Sequence, residues 1–205
     1  MAKIKLTKGE LKRQRDALKQ FQRYLPTLQL KKQQLQLEIL QQHTFLQDLQ
    51  QTAIKKRQAA YLWAGLLAEP QADIRPFIQP AKTITHQKNI AGVDIPVFDG
   101  LEFIEKDYDL FLTPLWIDAA IQALREVIVL KKEISLRQEG IDILRQELRV
   151  TTQRVNLFEK VKIPQAQENI RLIKIYIGDQ MANAVGRSKI AKRKIEELIL
   201  EEAAA

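Results

Sequence analysis

Apolar residues recur every three or four positions over the first sixty residues of the chain. With Leu11 as heptad position a, the a and d positions run to Trp63, and twelve of these sixteen positions are apolar. At the overall apolar content of 45%, only about seven apolar residues are expected at sixteen positions. The repeat is typical of a coiled-coil helix, and its polar members fix register at some cost in stability. These polar members are Gln14, Lys32, Gln42 and Lys56.

The ends of this helix are marked by local signals. Thr7 and Glu10 have the spacing of a capping box, with Leu6 and Leu11 at the positions of a hydrophobic staple. Pro26 lies inside the helix, but the apolar register continues beyond it, so we expect a kink and not a break. The helix should end between residues 65 and 70, which makes residues 1–66 an N-terminal coiled-coil helix.

The middle of the chain is rich in proline. Five of the seven prolines fall between residues 70 and 114, so this part cannot be one continuous helix. Residues 83–90 and 93–98 carry β-branched side chains on either side of Ala91 and Gly92, a pattern that indicates a β-hairpin. We therefore predict a β-hairpin and short-helix insert over residues 67–113.

A second long helix follows, with Thr113 as N-cap and Pro114 at the first helical position. Pro164 lies within it, and the apolar column after this proline is displaced by one residue from the column before it. We expect the C-terminal coiled-coil helix, residues 114–205, to be bent near Pro164, with its apolar seam turned to another side. The two columns are Val127, Ile134, Ile141, Leu148 and Val155, then Ile163, Ile170, Ile177 and Ala184.

The order of these elements predicts the fold class. The chain reverses through the middle insert, so the two long helices should pair antiparallel. The prediction is an all-α dominated protein, a long antiparallel two-helix coiled coil with a small central β-hairpin and short-helix insert forming a knob at one end. The C-terminal helix should extend roughly 40 Å beyond any pairing with the first.

Charge is distributed unevenly along the chain. The formal net charge is +8, with an acidic middle between two basic ends. An antiparallel coil brings the ends towards one tip, where basic side chains either are solvated or bind a partner. Nucleic acid or an anionic membrane surface is an alternative partner, although stacking aromatics are missing there. The tip residues are Lys3, Lys5, Lys8, Lys12, Arg13, Arg187, Lys189, Lys192 and Arg193.

Signals for catalysis are weak. The chain has no Cys, which excludes disulfides and thiolate chemistry. His43 and His86 lack metal-ligand spacing, the acidic residues between 94 and 109 lack EF-hand spacing, and Gly186 to Lys189 lack the order of a phosphate-binding loop. The longest apolar run, residues 59–68, is too short to span a bilayer. We predict no catalytic residue, cofactor or metal, and membrane association only through partners.

Three segments resemble the D subunit of the V/A-type (vacuolar/archaeal-type) rotary ATPases. They are the basic, capped start at residues 7–12, the insert at residues 89–96, and residues 153–164 of the C-terminal helix. The third segment is the most specific, and the residues that carry its likeness are Arg154, Val155, Asn156, Glu159, Ile163 and Pro164.

The resemblance implies a non-catalytic rotor shaft in a central stalk. Such shafts join the smaller F subunit inside a hexamer of A and B subunits and meet the C subunit, called d in eukaryotes, at the membrane ring. They transmit torque between ATP hydrolysis or synthesis and proton or sodium translocation. By this resemblance the chain is peripheral on the cytoplasmic face of the membrane, with its basic tip facing the hexamer. The alternative is a basic coiled-coil adaptor for nucleic acid or an anionic membrane surface.

Overall fold

A computed structural model describes residues 4–68, 74–106 and 114–204. Most of these residues are helical, and the remainder include one antiparallel hairpin, so the predicted fold class is confirmed. Short 3-10 turns lie at Ala64–Ala68 and Arg75–Phe77. The other elements are α1 (Lys8–Tyr61), β1 (Pro80–Ile90), β2 (Val93–Phe103), α2 (Ile117–Leu157), a π-helical turn (Phe158–Lys162) and α3 (Ile163–Ala204).

The contacts divide the chain into two compact units. The terminal unit consists of Met1–Gln29 and Gln153–Ala205, and the middle unit of Leu30–Thr152. Each unit holds one stretch of α1 and one stretch of the C-terminal helices.

Helix α1 follows the predicted heptad closely. Fifteen of the sixteen a and d positions are at least partly buried, and the sixteenth is Lys56. The Thr7 hydroxyl accepts a hydrogen bond from the Glu10 backbone N–H at 3.3 Å, which confirms the N-cap. Pro26 does not break the helix. The α-helix ends at Tyr61, a few residues earlier than predicted, because the chain tightens into a 3-10 turn.

In the middle unit, α1 and α2 run antiparallel. Lys31 Nζ lies 2.8 Å from Glu147 Oε1, and Lys56 Nζ lies 2.6 Å from Glu126 Oε2. The partner's number falls as the α1 number rises, as an antiparallel pair requires. Helix α2 begins at Ile117, whose N–H donates to the Pro114 carbonyl at 3.1 Å, three residues later than predicted. The predicted N-cap, Thr113, lies outside the described residues.

In the terminal unit, the helices also run antiparallel. The rings of Phe21 and Phe158 lie 5.2 Å apart, and Asn169 Nδ2 donates to Gln14 Oε1 at 3.4 Å. Residues of the C-terminal helices are buried both before and after the π-helical turn, as Val155 and Ile170 show.

The π-helical turn explains the one-residue displacement of the apolar column. The Ile163 N–H donates to the carbonyl of Phe158, five residues back. A π turn holds one residue more than an α turn, so it absorbs the extra residue between Val155 and Ile163. The interpretation that the seam turns to another side at Pro164 was therefore wrong. The bend there stays a prediction, and the backbone at Leu157 and Ile163 keeps right-handed helical dihedrals.

The hairpin is longer than the sequence indicated, with eleven residues in each strand. Its two-residue turn has positive φ at both Ala91 (52°) and Gly92 (78°), the geometry whose twist matches that of paired strands. Ile84 pairs with Gly100 and Thr85 with Phe98, so Asp99 is the extra residue of a β-bulge.

The hairpin packs along the helices of the middle unit. Alternating apolar residues of β2 form a face that a two-stranded sheet must bury elsewhere. Ile95 joins Leu35 and Leu144 in one core cluster, and at Gly140 an added Cβ would lie 3.7 Å from the Ile95 Cβ. Leu35 precedes the end of α1 by 26 residues, about 39 Å of helix. The insert is therefore not a knob confined to one end of the coil.

Candidate functional site

The predicted tip residues that the structure describes are on the surface of the terminal unit. Those near the start of the chain lie before or within the first turns of α1, and those near the end lie on α3. Each of the eight that the structure describes is exposed, and Lys3 lies outside the described residues. The eight are Lys5, Lys8, Lys12, Arg13, Arg187, Lys189, Lys192 and Arg193.

The two basic clusters occupy successive levels of the terminal unit. Continuing the register of the Gln14 to Asn169 hydrogen bond places Lys8 near Ile175. Arg187 lies twelve residues further along α3, about 18 Å beyond that level. Every residue from 178 to 197, which we name the tail, is exposed. The tail thus extends past its pairing with α1, as the sequence predicted.

The tail is an amphipathic helix whose apolar stripe is uncovered. The stripe continues the three- and four-residue spacing of the buried seam through Met181, Ala184, Ser188, Ala191 and Ile195, with Ser188 as its one polar member. Met181 and Ile195 are both more than half exposed. The ion pairs in the tail join residues four apart on the same helix, as in Arg193 Nε to Glu197 Oε1 at 2.9 Å, and such exposed pairs contribute little to stability.

The family-like segment of the C-terminal helix divides into buried and exposed positions. Val155 is buried, and Ile163 is partly buried. The other four residues are exposed, namely Arg154, Asn156, Glu159 and Pro164. The sequence reading missed the π-helical turn inside this segment, although the eight-residue spacing from Val155 to Ile163 is its signal.

Arg137 links the two helices of the middle unit, and the sequence indicated it only through the polar seam position Gln42. Its Nη1 donates to Gln42 Oε1 at 3.0 Å and its Nη2 to Glu133 Oε1 at 3.2 Å. The guanidinium carbon lies 5.7 Å from the centre of the Phe45 ring. These contacts join α2 to α1 beside a cavity of about 100 Å³ that Lys88 and residues of β2 also line.

Ion pairs shift the pKa values of Glu126, Glu168 and Arg171. The hydrogen bond from Lys56, and then its charge, holds the pKa of Glu126 below its ordinary value of 4.5. The hydrogen bonds from Arg171 likewise lower the pKa of Glu168, and those same bonds raise the pKa of Arg171. The first pair joins two helices, whereas the second lies within α3.

Three titratable side chains of the insert bond within the hairpin. His86 Nδ1 lies 2.7 Å from Asp99 Oδ1, and Asp94 accepts a hydrogen bond from Asn89 at 2.6 Å. The predicted acidic residues 107 and 109 lie outside the described residues. Among residues 4–68, 74–106 and 114–204, no group of three His, Asp or Glu side chains is placed to hold a metal ion. No helix in these ranges is long and apolar enough to cross a membrane.

Comparison with known proteins identifies the family. The profile of the family described as the D subunit of ATP synthase matches residues 10–193. The chain belongs to this family. The D subunit of the V-type ATP synthase of Borreliella burgdorferi is 46% identical over 197 residues, covering 95% of this chain and 96% of the relative. That of Chlamydia caviae is 34% identical over 198 residues, covering 96% and 95%.

The match confirms the resemblance drawn from residues 7–12, 89–96 and 153–164. Membership of this family makes the chain one component of a hetero-oligomeric V-type ATP synthase complex.

Proposed function

We propose that this chain is the non-catalytic central rotor shaft of a V/A-type ATPase or ATP synthase. It transmits torque between ATP hydrolysis or synthesis in an A/B hexamer and proton or sodium translocation in a membrane ring. It sits peripherally at the cytoplasmic face of the membrane through its complex. Family membership and the paired helices support this role. The observation that carries it is the tail, a helix of about six turns in which every residue is exposed in the isolated chain.

The tail has the properties of a helix that binds inside a protein assembly. Its uncovered apolar stripe provides surface for burial, and its basic side chains suit acidic residues on the hexamer. Different faces of a helix meet three equivalent catalytic sites differently, so a rotating helix can hold those sites in different conformations. On this proposal, Arg187, Lys189, Lys192 and Arg193 contact the hexamer first as charged groups that guide assembly.

Charge reversal tests the contact with the hexamer. The variant changes Arg187, Lys189, Lys192 and Arg193 to Glu, and the matched control changes the exposed Lys55, Lys131, Lys132 and Arg149 to Glu. Binding to an assembled A/B hexamer is measured by biolayer interferometry at two salt concentrations. We expect at least a tenfold loss of affinity for the tail variant and less than a threefold loss for the control. Equal losses would contradict the assignment of the tail.

Apolar side chains at the ends of the middle unit's helices support a contact with the C (d) subunit. Leu62 and Leu115 are 90% and 99% exposed, and both lie in the turns next to α1 and α2. Burying a leucine side chain gains about 1.5 to 3 kcal/mol, so a partner that covers both would bind more tightly. Changing both to Ser should weaken the pull-down of the C (d) subunit and leave hexamer binding unchanged, and loss of both interactions would point to misfolding.

A further exposed stripe supports a contact with the F subunit. Leu30, Leu37 and Leu40 are all more than half exposed and lie on the face of α1 that is turned away from its seam. No charged residue occupies this stripe, so we expect it to pack against an apolar helix face of the F subunit. Leu37→Lys should reduce co-purification with the F subunit, with Gln36→Lys as the control.

The adaptor alternative makes a different prediction. A nucleic-acid or anionic-membrane adaptor would bind duplex DNA or anionic vesicles with micromolar or tighter affinity. This affinity would depend steeply on salt, and the adaptor would not bind the hexamer. Failure to bind the A/B hexamer or the F subunit, under conditions where those proteins assemble with one another, would overturn the rotor proposal.

A further inference from the structure

Polar contacts between α1 and α2 recur along the middle unit. Lys31 pairs with Glu147, Gln42 with Arg137, and Lys56 with Glu126. Gln42 and Lys56 occupy positions of the apolar seam, and Lys31 lies beside it. With Gln14, which accepts from Asn169 in the terminal unit, three of the four polar seam positions found in the sequence meet a polar partner on the opposite helix.

A heptad repeat alone does not determine register. Sliding α2 by seven residues along α1 moves every side chain to an equivalent heptad position, so apolar residues meet apolar residues again. The polar members distinguish these registers. After such a slide Gln42 would face Leu130 or Leu144, and Arg137 would face Leu35 or Leu49.

These alternative registers carry a penalty at Arg137. In the observed register its guanidinium has Gln42 and Glu133 as acceptors and the Phe45 ring beside it. Arg137 is only about a quarter exposed, so a leucine in place of Gln42 would leave a poorly solvated charge without its cross-helix partner. Lys56 also disfavours one of the two slides. In the slide that brings Ala119 opposite Lys56, the lysine loses its partner Glu126.

We infer that the Gln42 to Arg137 and Lys56 to Glu126 contacts, supported by Lys31 to Glu147, form a register lock that prevents α1 and α2 from sliding by a heptad. The lock is a property of the chain itself and does not depend on its partners. If α1 and α2 slid past each other under load, each helix would move along its axis relative to the other. The lock opposes this motion. Its test therefore fails or succeeds independently of the rotor proposal.

Distances between spin labels measure the register directly. The chain has no Cys, so labels attach only to introduced cysteines. Gln34→Cys on α1 and Lys132→Cys on α2 are both exposed positions of the middle unit. A slide by seven residues changes the axial distance between them by about 10 Å, which pulsed electron paramagnetic resonance resolves.

The lock-free variant replaces all four polar residues of the two main contacts by leucine: Gln42, Lys56, Glu126 and Arg137. We expect a second distance peak displaced by about 10 Å, together with a higher melting temperature, because polar seam residues trade stability for register. The matched control replaces one residue of each same type at exposed positions by leucine: Gln41, Lys55, Glu139 and Arg149. The control should keep the single peak.

A single, unshifted peak in the lock-free variant would overturn the inference, because the hairpin and the apolar seam would then suffice. If that variant does not fold, a charge exchange provides the second test. Lys56→Glu should broaden the distance distribution, and Lys56→Glu with Glu126→Lys should restore the narrow peak. An unchanged distribution in Lys56→Glu would equally reject a role for that pair.

Discussion

The helix pair of the middle unit and the tail of α3 follow the same heptad rule but differ in burial. In the middle unit, Ile141 and Leu144 are fully buried, and Leu144 shares a cluster with Leu35 of α1 and Ile95 of the hairpin. In the tail, Ile195 lies on the apolar stripe and is 57% exposed. The difference shows that a heptad specifies an amphipathic face and leaves open what covers it. Where this chain supplies no cover, another subunit is the expected source.

The largest expected effect comes from truncating one isoleucine in each region to alanine and comparing the loss of stability. Ile141→Ala should lower the free energy of unfolding by about 2 to 5 kcal/mol, because it removes buried methyl groups and leaves a cavity. Ile195→Ala should change it by no more than about 0.5 kcal/mol in the isolated chain. Urea denaturation followed by circular dichroism measures both, and similar losses would mean that the tail is covered within this chain.

Glycine replacement sharpens the comparison at the hairpin. Gly140→Leu should destabilise the middle unit by about 1 to 3 kcal/mol, because a Cβ at this position already contacts Ile95 and the remaining atoms of the leucine crowd the hairpin. Gly186→Leu in the tail, where an added Cβ meets nothing within 4 Å, should instead stabilise the helix by up to about 1 kcal/mol. Hydrogen exchange should report faster hairpin amides only in the first variant. Unchanged exchange there would contradict the packing of Ile95 on Gly140.

The turn of the hairpin offers a smaller effect. Gly92→Ala places a Cβ at a φ of 78° and should cost about 1 kcal/mol. Gly100→Ala is the control, since that glycine lies in β2 with open space around it. Thermal melts should rank Gly92→Ala as the less stable variant, and the reverse order would argue against the observed turn geometry.

The smallest effect concerns acid stability. The pKa of Glu126 is lowered in the folded chain, so its contribution to stability is present above the ordinary value of 4.5 and is lost as the pH falls through the folded value. Glu126→Gln should therefore flatten the decline in melting temperature as the pH falls below about 5. Glu197→Gln in the tail, whose partner lies on the same helix, is the control. A decline that is identical in Glu126→Gln and the parent would reject this contribution.

Much of the fold was accessible from local patterns. The heptad from Leu11 to Trp63 identified the residues that α1 buries, and the Thr7 cap marked its start. The Ala91 and Gly92 turn was found because its chemistry is local. Element boundaries were less accurate, since α2 begins at Ile117 and the hairpin strands extend beyond the β-branched residues.

The candidate surfaces were predicted unevenly. The basic residues at the two ends were recognisable as a charged pattern, and the eight of them that the structure describes are exposed on the terminal unit. The axial distance between the two basic clusters was not predicted. It depends on the register between α1 and α3, which the Gln14 and Asn169 contact sets. Arg137 was missed because a single arginine in a long helix carries no signal until the residue opposite it is known.

By itself, the sequence determined the two long helices, the hairpin, the family and the apolar faces of the helices, because these follow from periodicities of a few residues and from local motifs. Only the tertiary structure decided where those faces meet. It placed Ile95 against Leu35 and Leu144, and it absorbed the extra residue before Ile163 in a π turn. The physical reason is that burial is a property of contacts between distant segments, and neither register nor docking has a local energy that a single segment reveals.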